Sequence, residues 1–136
     1  MFEDENEDEF FNLLELVDDF KRAQAQGKSA FYDLEEFEAI ADYFYELGKI
    51  KQALEVVDIA TRHHPYATHL WSKRVQYLTA SDNTQAAKDA LKELEKVMPE
   101  SYDLFMARAG LFSKLGNHQK AIQQYRQAQN LAEYQE

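Results

Sequence analysis

WSKRVQYLTASDNTQAAKDALKELEKVMP, residues 71–99, is the stretch that decides the fold. Its framework residues recur at one fixed step. Phe37, Trp71 and Phe105 stand 34 residues apart, as do Ala53, Ala87 and Ala121, and Pro65 and Pro99. Gly48, Asp82 and Gly116 keep the same step. Internal periods of this length mark helical solenoids, in which each unit buries its apolar face on the next.

Upstream of this stretch, Asp33 with Glu36 three residues later makes a capping box, which predicts a helix over 34–47 with Phe37, Ile40, Ala41 and Phe44 on its buried face. Gly48 supplies a left-handed turn, and a second helix runs over 50–63 until Pro65 prevents continuation. The next unit repeats the plan with Leu70, Trp71, Val75 and Leu78, then Ala87, Leu91 and Leu94. Asp82 stands at its turn, a residue that tolerates left-handed backbone better than most. A third unit follows from Phe105, Ala109 and Phe112 through Gly116 to Ala121, Tyr125 and Ala128. The small alanines let paired helices approach closely, while the aromatic residues at helix-core spacing fill the gaps beside them.

This pattern resembles the tetratricopeptide repeat, with its early bulky aromatic, mid-repeat glycine, following alanine and terminal proline. The resemblance covers about 34–136 and implies an all-α, right-handed α-solenoid of helix-turn-helix repeats, with repeats at 34–67, 68–101 and 102–136. Ahead of them, Phe10, Leu13, Leu14, Val17 and Phe20 form a helical stripe ending near Gly27. Leu16, Phe20 and Ala23 repeat the spacing of Ala53, Val57 and Ala60, so 10–27 reads as a half-repeat that caps the first helix of the first repeat. Residues 28–32 read as a linker. Residues 1–9 hold six carboxylates and read as a disordered acidic tail.

Of the 25 acidic residues nine lie in the first twenty positions, which hold no base, so most of the net charge of −10 is N-terminal. The repeats are near neutral and carry no basic stripe to displace counterions from phosphates, which argues against nucleic-acid binding. No run is apolar and long enough to predict a membrane span. With no cysteine, disulfides and thiolate metal sites are excluded, and a cytoplasmic setting fits. His63, His64 and His69 fall too close in sequence to converge as zinc ligands. No nucleophile stands beside a base and no glycine-rich phosphate loop occurs, so neither catalysis nor a cofactor is expected. Arg74 and Arg108, one step apart at framework positions, are each expected to bond a carboxylate or carbonyl of the preceding helix.

The resemblance also places a ligand. In tetratricopeptide proteins the first helices of successive repeats line a concave groove, here Glu35, Glu38, Asp42, Tyr45 and Glu46, then His69, Ser72, Lys73, Gln76 and Thr79, then Asp103, Met106, Gly110 and Ser113. Family members that bind a C-terminal carboxylate use lysine and asparagine where this chain has Glu38 and Asp42, and like charges repel at short range. The expectation is therefore a non-enzymatic adaptor or scaffold taking a basic or amphipathic peptide in its groove. The alternative is a structural module that self-associates or begins a longer repeat array.

Overall fold

The structure, a computed structural model, describes the backbone of residues 2–135 and the side chains of 7–10 and 12–133. Met1 and Glu136, the outer ends of the first and last expected segments, lie outside the described residues. Among the described residues seven helices follow one another: α1 (Phe2–Ala25), α2 (Leu34–Glu46), α3 (Ile50–His63), α4 (His69–Ala80), α5 (Thr84–Val97), α6 (Tyr102–Lys114) and α7 (His118–Gln135). Among the described residues there is no strand. Helices adjacent in sequence pack as pairs, α2 with α3, α4 with α5 and α6 with α7, the arrangement from which helical solenoids are built. The chain divides into two compact units, Met1–His64 and Pro65–Glu136.

In the first unit the capping box at Asp33 forms in full. Glu36 N donates to Asp33 Oδ1 at 2.8 Å, and Asp33 N donates to Glu36 Oε1 at 3.1 Å. Phe37, Ile40, Ala41 and Phe44 of α2 are buried, and they meet Ala53, Val56, Val57 and Ala60 of α3. At the end of α2, Gly48 takes φ 77° and Lys49 N donates to Phe44 O at 2.9 Å, a six-residue bond that closes the helix around a left-handed glycine.

Helix α1 packs on α2. The backbone is helical from Phe2. Glutamate is a good helix former, and acidic sequence suits the positive end of a helix. The apolar stripe is covered only along its C-terminal half. Val17 and Phe20 are 2% and 3% exposed, Leu13 and Leu14 are half-buried, and Phe10 is 54% exposed.

Residues 28–32 are more than a linker. Tyr32 is buried, its hydroxyl donates to Asp19 Oδ2 of α1, and its ring meets Phe37 edge-on at 5.4 Å. Burial, followed by the hydrogen bond to Asp19 and the negative charges of Asp19 and Glu36, pushes the Tyr32 phenol above its ordinary value. His63 and His64 at the end of α3 close the same space, 5.5 Å and 5.8 Å from the Phe37 ring. Phe31 stacks on His63 at 5.3 Å from outside.

The second unit repeats the helical pair twice. Ala87, Ala109 and Ala121 are buried at close approaches, and Val75, Leu94 and Leu104 form a core against which Trp71, Leu91 and Met98 pack. Trp71 is half-buried. Gly116 takes φ 79° and Asn117 N donates to Phe112 O at 2.8 Å, the bond already seen at Gly48. Asp82 reaches φ 63° at its turn, and its carboxylate is held by Lys114 Nζ at 2.8 Å.

Candidate functional site

In the first unit the expected ligand face is one side of α2. Its sequence LEEFEAIADYFYE holds five acids and no base. Glu36 is used by the cap, and the buried stripe from Phe37 to Phe44 fixes which way the helix faces. Glu35, Glu38, Asp42 and Glu46 then follow one another at helical spacing beside that stripe, with Tyr45 among them. Glu35 and Glu46 are exposed, while Glu38, Asp42 and Tyr45 are half-buried. Helices gain from acids at the N-terminus and bases at the C-terminus, yet the last turn of α2 has none of the latter.

In the second unit the expected residues lie on α4 and α6. His69 Nδ1 is 3.3 Å from Asp103 Oδ2, which ties the first turns of the two helices together. Ser72 is occupied locally, its hydroxyl donating to His69 O at 2.8 Å. Thr79 is 9% exposed and its hydroxyl donates to Val75 O at 2.8 Å, so its proton is already used within α4. A threonine near the end of a helix commonly bonds back to the carbonyl four residues earlier, which draws the side chain inward. Gln76, Met106 and Ser113 are exposed, and Lys73 is half-buried. This face is mixed in charge where α2 is uniformly acidic.

The two framework arginines part company. Arg108 bonds the preceding helix as expected, with Nη2 at 3.0 Å and Nε at 3.1 Å from Glu95 Oε1. Arg74 is exposed.

The histidines serve other groups. His64 Nε2 lies 2.8 Å from Tyr32 O and His63 Nε2 lies 3.2 Å from Ser29 Oγ, so both tie the segment before α2 to the end of α3. Among the described residues no three histidines or carboxylates converge as metal ligands. No helix, among the described residues, is long and apolar enough to cross a membrane.

Residues 73–136 match a known protein family, described as Tetratricopeptide repeat. No curated protein matches the chain.

Proposed function

We propose that this chain, whose residues 73–136 match the tetratricopeptide repeat family, in which the repeats are in general non-catalytic protein–protein interaction modules, binds a basic or amphipathic segment of a partner protein through its first-helix faces. The observation that carries this reading is the charge of α2. Its stripe Glu35, Glu38, Asp42 and Glu46 has no compensating base on the same helix. Such a stripe attracts a lysine- or arginine-rich segment over a range set by salt, and it disfavours a free carboxylate. Tyr45 among the acids offers an aromatic edge to the aliphatic stems of those residues. In the second unit, His69, Lys73, Gln76, Asp103 and Met106 form a mixed polar and apolar face suited to the neutral positions of an amphipathic partner.

A synthetic lysine–leucine amphipathic peptide, titrated calorimetrically beside its glutamate–leucine counterpart, tests the proposal. The basic peptide should bind, weaken as salt rises, and lose at least about tenfold in affinity to the double variant Glu38→Lys, Asp42→Lys. Equal binding of both peptides, or unchanged binding by the double variant, would remove α2 from the interface. Sedimentation of the free chain checks the competing account. A concentration-dependent oligomer that the peptide does not disturb would favour a structural module instead.

A further inference from the structure

The second unit contains a cavity of about 630 Å³ between α5, α6 and α7, with Phe105 and Leu104 among its walls. It has a filled counterpart. Two repeat steps separate Phe105 from Phe37, Leu131 from His63, and Glu100 from Tyr32. Around Phe37 the space is closed by the rings of Tyr32, His63 and His64. Around Phe105 the chain has a leucine and a glutamate at the first two of those places, and Glu100 takes a left-handed φ of 54° and is exposed. The rings that close the space around Phe37 have no equivalent around Phe105.

The walls have also changed character. Val56 and Ile40, fully buried in the first unit, correspond to Gln124 and Arg108 in the second. Gln124 Oε1 is buried and has no hydrogen-bond partner among the described residues, although buried polar groups are nearly always paired. Arg108 is held by Glu95 and lies 5.9 Å over the Phe105 ring, so it forms a fixed wall with a cationic face. A polar atom without a partner, a cation above an aromatic floor and a missing ring together describe a receptor for one side chain.

We propose that this cavity receives a tyrosine side chain from a partner peptide, its ring taking the place that Tyr32 holds against Phe37. The hydroxyl meets the Gln124 amide. Because a phenol both donates and accepts, it satisfies that amide in either orientation. The ring lies against Phe105 and Leu131 under the Arg108 guanidinium, where stacking and cation–π attraction both act. Glu95 and Glu100 at the wall disfavour acidic residues beside the tyrosine and favour neutral or basic ones. The site belongs to the second unit alone and does not depend on the acidic face of α2.

The probe is the pentapeptide acetyl-Lys-Ala-Tyr-Ala-Lys-amide, compared with versions carrying Phe or Ala in the centre and with a Glu-flanked tyrosine version. Side-chain amide signals of Gln124 and Gln127 in a nitrogen-15 correlation spectrum of the full chain report occupancy. The tyrosine peptide should shift them saturably, the phenylalanine peptide should bind about fivefold more weakly for want of the hydroxyl, and the alanine peptide should leave them unmoved. In Gln124→Leu, which keeps the helix and its volume, tyrosine and phenylalanine peptides should bind alike. Equal shifts from the alanine peptide, or a tyrosine preference that survives Gln124→Leu, would overturn the proposal. So would the same signals moving on dilution of the chain alone, since the occupant would then be a second copy.

Discussion

Phe37 and Phe105 are the same residue type at the same place in the repeat, yet Phe37 is wholly buried and Phe105 opens onto a cavity. The difference is not in the helices that carry them, which share length, turn geometry and buried alanines. It lies in what precedes and follows each pair. Before α2 the segment Phe31–Tyr32 folds back under the hold of Asp19, and after α3 two histidines complete the enclosure. Before α6 the corresponding residues are Pro99 and Glu100, and the backbone at Glu100 is left-handed. A repeat framework thus fixes where a large side chain stands. The non-repeating residues beside it decide whether its surroundings are core or receptor.

Removing what closes the first unit should have the largest effect. Deleting residues 1–25 takes away Val17 and Phe20, each worth about 1.5–3 kcal/mol when buried, along with the Asp19 partner of Tyr32. The truncated chain should melt well below the full one and scatter light as it self-associates. A monomer with an unchanged melting point would mean that α1 is not a cap. Next in size is Tyr32→Ala, expected to cost about 3 kcal/mol by chemical denaturation, against less than about 0.5 kcal/mol for Glu100→Ala two steps on. Similar losses at both positions would erase the contrast.

Tyr32 also gives the first unit a dependence on alkaline pH. Its folded phenol holds its proton more tightly than an unfolded one, so its contribution is complete below about pH 10, the ordinary tyrosine value, and falls as pH rises beyond it. Tyr32→Phe removes the hydrogen bond, at about 1 kcal/mol, and should flatten this part of the alkaline limb. Stability profiles of the two proteins that run parallel above pH 10 would contradict the assignment. The smallest effects concern two glycines of the second unit. Gly116 needs its positive φ, so Gly116→Ala should cost about 1 kcal/mol. Gly110 lies inside α6 with open space at its Cβ, so Gly110→Ala should gain about 0.5–1 kcal/mol. Urea midpoints moving in the same direction would show that the turn at Gly116 is not the strained one.

The helices were legible because the residues that make them repeat. Phe37, Trp71 and Phe105 set the step, and the capping pair Asp33 and Glu36 marked the start of α2. The acidic stripe on α2 was legible for the same reason, since helical spacing beside a known buried face fixes it. Tyr32 was hidden because it lies in a segment without periodicity, where composition suggests only a linker. One clue was available: Tyr66 stands one repeat step after it. The cavity was hidden because it arises from substitution within the framework. Arg108 stood out in the sequence, but Gln124 read only as one of several glutamines on a polar helix. That it takes the place of Val56 becomes meaningful once Val56 is seen to be fully buried. Thr79, expected on the ligand face from its position on α4, turns its hydroxyl inward to Val75 O.

The claim that the space beside Phe105 is open for want of a ring is tested most directly by supplying one. Leu131 stands two steps after His63, at the cavity wall, and Leu131→Phe places an aromatic side chain there without altering charge or backbone. Thermal denaturation should show the second unit stabilised by about 1 kcal/mol, a rise of several degrees, and the tyrosine pentapeptide should no longer bind. A melting point that falls, with peptide binding intact, would mean that the space is already filled and that the contrast between the two phenylalanines has another cause.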